Sequence, residues 1–172
     1  VENDFAIDVN EVADQITPKT KLMIVNSPNN PCGSIVDKNT LKSLADLAKK
    51  YNITVLSDEI YSRYLYEGSH DSISSFPDML EHTIILDGFS KTYAMTGWRI
   101  GFGVFPLDLV EPISRLSTNS VSCTASFTQK AAIEAITGPQ DDSVHMVSEF
   151  RKRRSIVVNM LNKIPGIRCA NP

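Results

Sequence analysis

The sequence predicts an α/β fold, a mostly parallel sheet flanked by helices, and three observations predict it. Short apolar runs at residues 21–26 (KLMIVN), 53–56 (ITVL) and 83–86 (TIIL) have the length of strands and the continuous apolar character of strands buried in a sheet. A helical pattern lies between the first two, and strand–helix–strand is the signature of this class. Dense turn chemistry follows the first run, Ser27 to Gly33 (SPNNPCG).

Taken in order, residues 1–19 are polar and irregular, with Ile7, Val9, Val12 and Ile16 scattered among acids and Thr17-Pro18 closing the stretch. A helix is expected from Asp37, a suitable N-cap, to Tyr51. Leu41, Leu44, Ala45 and Ala48 share its apolar face, and Lys49 and Lys50 occupy the last turn, where the helix dipole favours cations. A fourth strand is expected at 100–105 (IGFGVF), followed by helices at about 107–119, 124–137 and 142–162, the last containing Arg151-Lys152-Arg153-Arg154. Those four cations read as the solvated side of the helix, and Trp98 reads as a core residue. Residues 164–167 (IPGI) read as a link to another unit.

Composition narrows the function. Of 172 residues, 42% are hydrophobic and 22% charged, enough to fill a core and unlike a disordered chain. The net charge of −3 argues against nucleic acid as a partner. No apolar run approaches the ~20 residues of a membrane helix, so no membrane partner is expected. Cys32, Cys123 and Cys169 are odd in number and widely spaced, which fits reduced thiols in a cytoplasmic protein. His70, His82 and His145 form no ligand-spaced cluster, and no metal is expected.

A right-handed crossover puts Asn29, Asn30 and Asp58 at one edge of a parallel sheet. If the third strand is also parallel, Lys91 arrives there too, at the strand ends where open α/β sheets bind ligands. Successive strands thus deliver an amide, a carboxylate with Tyr61, and an amine to one place. With Arg99 added, that set suits pyridoxal phosphate: an amine for its aldehyde, a carboxylate for its pyridine nitrogen, a phenol and an amide for its ring oxygen, and a guanidinium for its phosphate. The segment 88–92 (GFSKT) lacks a G-x-x-x-x-G-K frame, so a nucleotide loop is set aside.

Three segments carry a resemblance to a known family: residues 26–33 (NSPNNPCG), 58–61 (DEIY) and 90–101 (SKTYAMTGWRIG). In that order and spacing, the sequence resembles the central large-domain stretch of a fold-type I, class I/II aminotransferase of the aspartate aminotransferase superfamily. The resemblance runs from about Glu2 to Pro172. It implies that Lys91 is the catalytic Schiff-base lysine, that Asp58 pairs with the pyridine nitrogen, that Tyr61 and Asn30 contact the ring oxygen, that Arg99 binds the phosphate, and that Ile60 packs on a ring face. Where the family often has a phosphate-binding Ser, this sequence has Gly88, and Ser90 is the candidate for that contact; Cys32 stands where the family usually has Thr.

The resemblance further implies amino-acid and 2-oxo-acid substrates and a homodimer in the full-length protein. Residues 1–140 are expected to be part of the cofactor-binding large domain, and residues 141–172 a long linking helix with the start of a truncated small domain. The chain opens without Met and closes as if entering a new element. Members of the family are much longer, with a ring-stacking aromatic and a phosphate loop in an N-terminal part and a carboxylate-binding arginine in a C-terminal small domain, so the resemblance implies a piece of the enzyme, inactive in transamination by itself. Two alternatives stay open: a lyase of the same fold performing β-elimination with the same cofactor, and a folded, non-catalytic module.

Overall fold

A computed structural model describes residues 4–172. Its sheet has four strands in the order β1 (Leu22–Asn26), β2 (Thr54–Asp58), β3 (Thr83–Gly88) and β4 (Gly101–Val104). The first three are parallel, with Asn26 opposite Asp58 and Asp58 opposite Leu86; β4 runs antiparallel to β3. The sheet is therefore mixed, and three parallel strands end side by side.

Helix α1 (Val9–Gln15) lies in the stretch whose sequence reads as irregular. It is short and buries no residue, so it carries no apolar stripe for periodicity to reveal; Asp8 caps it by accepting the Asn10 N–H at 2.8 Å. Helix α2 (Lys38–Tyr51) is the expected crossover. The Asp37 carboxylate accepts the Asn39 and Thr40 N–H groups, and Asn52 ends the helix in the left-handed conformation. Leu41, Leu44, Ala45 and Ala48 are buried against Val25 and Val55 of the sheet, with Ile73 and Met79 closing the cluster.

The sequence of β1 reads as a buried strand, but β1 is an edge strand, and Ile24 is 67% exposed. Val25 is buried in the core under α2 and Met23 packs partly buried against it, while Leu22 and Ile24 fall on the uncovered face. Beyond β4 come α3 (Leu107–Val121), α4 (Ser126–Thr137) and α5 (Asp141–Leu161). Helix α4 contributes Ala132 to a second cluster with Phe89 and Met95, which bracket the Lys91 turn.

Because Leu44 is almost fully enclosed, Leu44→Ala should lower unfolding stability by about 2–5 kcal/mol. Leu107, 92% exposed, should tolerate alanine within about 0.5 kcal/mol. Denaturant unfolding of the two variants checks the location of the core.

Candidate functional site at the strand ends

The turn after β1 is built by its own side chains. The Asn26 side-chain oxygen accepts the Asn30 N–H at 2.8 Å, and the Asn29 side-chain oxygen accepts the Cys32 N–H at 3.3 Å. Ser27–Pro28 and Asn30–Pro31 are cis, and Gly33 adopts φ 71°. This arrangement leaves the Asn30 amide free to donate to the Tyr61 hydroxyl at 3.4 Å.

Asp58 ends β2. Its carbonyl accepts from Asn26 Nδ2 at 3.2 Å and from Ser27 N at 3.4 Å, while its carboxylate accepts the Ile60 N–H at 3.3 Å. The chain then turns, and Ser62 N–H closes on the Glu59 carbonyl at 2.8 Å, presenting Tyr61.

Lys91 follows β3 in a turn anchored by buried Phe89, whose carbonyl accepts from Tyr93 N and Met95 N. The Phe89 ring stacks on Tyr93 with centroids 5.6 Å apart. The Tyr64 hydroxyl donates to the Lys91 carbonyl at 2.9 Å, and the Ser143 hydroxyl of α5 donates to the Thr92 carbonyl at 2.9 Å. The turn is thereby fixed from three sides, and the Lys91 Nζ sits 5.6 Å from the Tyr61 ring centroid. Among the described residues Lys91 makes no salt bridge.

Asn30, Tyr61 and Lys91 line one open cleft of about 1100 Å³. Asp58, Ser90 and Arg99 do not line it. Asp58 stands at the β2 terminus, one strand from the Lys91 turn. Arg99 adopts φ 53°, donates to the Thr96 carbonyl at 3.0 Å, and faces a separate hollow walled by Trp98 and Phe127. Trp98 is 46% exposed and tilts against Phe127 in that hollow instead of entering the core.

Gly88 has a steric cause. It lies opposite Gly101 in the β3–β4 ladder, and a Cβ there would approach Gly101 Cα to 3.1 Å and Ile60 Cδ1 to 3.3 Å. A serine at 88 would press on both, and Ile60 packs into the space that glycine leaves.

The cleft also has walls that the sequence reading missed. Tyr64, Tyr66, Phe150 and Arg154 line it. The Arg154 guanidinium lies 4.6 Å from the Tyr66 ring centroid and donates to the Pro172 carbonyl at 2.9 Å, with a side chain 13% exposed. Arg151, Lys152 and Arg153 are solvated, but Arg154 is not. The signal was available: Phe150 and Arg154 are four apart on one helix, hence on one face.

Asp87, just before this turn, is an electrostatic outlier. Burial pushes its carboxyl above the ordinary aspartate value and the nearby Glu59 charge adds to the shift, although the Gly88 N–H, at 2.6 Å, opposes it.

Over residues 1–172 the chain matches the family described as aminotransferase class I and II. It is 39% identical over 167 residues to the aspartate aminotransferase of Sulfolobus acidocaldarius, which covers 97% of this chain and 42% of that protein. It is likewise 39% identical over 174 residues to aromatic-amino-acid aminotransferase 2 of Thermococcus litoralis, covering 99% of this chain and 44% of the relative. Among solved structures, a double mutant of Thermus thermophilus aspartate aminotransferase aligns with a TM-score of 0.89 at 38% identity, over 94% of this chain and 43% of that one. The chain thus spans less than half the length of these relatives.

An acid whose folded pKa is raised loses stability as pH rises past its unfolded value, because the unfolded chain ionises more readily. Asp87→Asn should therefore melt higher than the parent chain at pH 7. The gain should vanish below the ordinary aspartate value of 3.8, where both chains carry a neutral side chain. Melting curves across that range check the sign.

Proposed function

Because the chain belongs to the class I and II aminotransferases, we propose that it forms the lysine-bearing part of a pyridoxal-phosphate enzyme that moves an amino group from an L-amino acid to a 2-oxo acid. One observation carries this reading: an amine that forms no ion pair among the described residues, a phenol and a side-chain amide share one cleft at the ends of parallel strands. That donor set fits the cofactor in chemistry and in room. When bound, pyridoxal phosphate supplies an aldehyde that condenses with amines and a ring that withdraws electrons.

This chain's residues do the rest. Lys91 Nζ would hold the cofactor and would take and return the substrate proton. Tyr61 and Asn30, already paired with each other, would donate to the ring oxygen. Asp58, at the β2 terminus one strand from the Lys91 turn, would hold the proton on the ring nitrogen. Arg99 is assigned to the phosphate on its motif, with Ser90 as a further donor; to act there, the Arg99 side chain must release the Thr96 carbonyl.

In this reading, residues 1–140 belong to the cofactor domain, and residues 141–172 form a linking helix and the start of a further domain. The full-length protein is a cytoplasmic homodimer. Among the described residues no helix is long and apolar enough to cross a membrane, which is compatible with that placement. Spanning less than half the length of its relatives, the 172-residue chain by itself should hold the cofactor reversibly and show no measurable transamination.

Mixing the purified chain with pyridoxal phosphate should produce a near-visible absorbance band. Borohydride should abolish the band and leave the added mass on Lys91. Lys91→Ala should lose both signals while changing stability by no more than about 1–2 kcal/mol. A chain that stays colourless would favour the non-catalytic module, and equal labelling of Lys91→Ala would place the attachment elsewhere.

A further inference from the structure

One residue beyond Asp58, a carboxylate is buried. Glu59 is 8% exposed. Its Oε1 accepts from the Ser57 hydroxyl at 2.9 Å and the Ser72 hydroxyl at 2.5 Å, and its Oε2 lies 2.9 Å from His70 Nε2. The Glu59 N–H donates to the Leu86 carbonyl of β3 at 2.9 Å. Burial acts to raise its pKa, but the hydrogen bonds from His70, Ser72 and Ser57 outweigh it and hold the carboxyl below the ordinary range. The neighbouring Asp87 carboxylate feels the charges of Glu59, Arg63 and His70.

A loop can be closed with apolar contacts, so a buried charge held by three side chains calls for a more specific task. Its partners show what it joins. Ser57 is on β2, Leu86 on β3, and His70 and Ser72 stand where the chain returns from its excursion over residues 60–69. Ser72 also caps the turn that buries Ile73 in the core. The excursion carries Tyr61, Tyr64, Tyr66 and Glu67, all of which line the Lys91 cleft. Glu59 thus clasps both ends of the loop that presents the phenol.

We propose that Glu59 is a positioning residue of the Lys91 cleft: its carboxylate, held by Ser57, His70 and Ser72, closes the 60–69 loop and sets where Tyr61 stands relative to Asn30 and Lys91. This deepens the reading of that cleft as the cofactor site. The Tyr61–Asn30 contact is long, at 3.4 Å, so a small loosening of the loop breaks it. Glutamine at 59 keeps the shape but loses the charge that three donors share. Glutamine at 70 keeps a nitrogen donor near the place of His Nε2, and alanine does not.

The test compares Glu59→Gln, His70→Ala, His70→Gln and, as a destabilised control, Leu44→Ala, in the full chain with isotope-labelled tyrosine rings. Without any cofactor, Glu59→Gln and His70→Ala should shift or broaden the Tyr61 and Tyr64 ring signals and leave Tyr51 on α2 unchanged. His70→Gln should restore the parent spectrum, and Leu44→Ala should lower the melting temperature without moving Tyr61. With pyridoxal phosphate added, Glu59→Gln should bind about tenfold more weakly or worse. A Tyr61 signal unchanged in Glu59→Gln, or moved equally by Leu44→Ala, overturns the proposal. If Tyr61 moves as described while even the parent chain fails to take up pyridoxal phosphate, the positioning role stands and the cofactor reading falls.

Discussion

Everything at the candidate site depends on three parallel strands ending in register. With Asn26 beside Asp58 and Asp58 beside Leu86, the chain leaves the sheet three times along one edge. The hydrogen bonding does not stop where the strands do. Asn26 Nδ2 and Ser27 N reach the Asp58 carbonyl, and Glu59 N reaches the Leu86 carbonyl. These bonds carry the ladder a residue further, so the turns bearing Asn30, Tyr61 and Lys91 begin from fixed points. A one-residue slip of β2 would turn Asp58 to the other face.

The second constraint is applied from outside the sheet. The Lys91 turn projects beyond β3 and would be free on one side but for α4 and α5. Phe89 and Met95 pack on Ala132 of α4, Tyr93 donates to Gln140, and Ser143 donates to Thr92. Tyr64 spans the gap, bonded to the Lys91 carbonyl and in edge contact with Phe150 of α5. The lysine's backbone is therefore held by residues 27 before it and about 50 after it. That explains why a flexible four-carbon side chain can serve a site that requires a defined amine position.

Much of this was legible in the sequence, and the parts that were not have physical reasons. Helix α2 could be read to its cap because Asp37, the apolar stripe and the terminal lysines all signal the same element. The three parallel strands could be read from their apolar runs. The exposure of Ile24 could not, since a run shows what a strand could bury and not whether a neighbour covers it. Helix α1 has no buried face and so no periodicity. Trp98 looked like core by residue type, but the turn ending at left-handed Arg99 carries it to the surface. Asn30, Tyr61 and Lys91 share a cleft as the crossover argument requires; Arg99 and Asp58 do not line it, because motif spacing fixes where a backbone passes and not where a side chain rests. Arg154 was hidden in a run of like charges, where three members are solvated and one is turned inward.

In the proposed reading, Lys91, Tyr61 and Asn30 form one recognition unit for pyridoxal phosphate. A crystal structure of the chain grown with the cofactor tests it most directly. Electron density continuous with Lys91 Nζ, with the ring oxygen within hydrogen-bond distance of Tyr61 and Asn30, is the predicted result. Density joined to a different lysine, or a Lys91 side chain turned away from an occupied cleft, would contradict it.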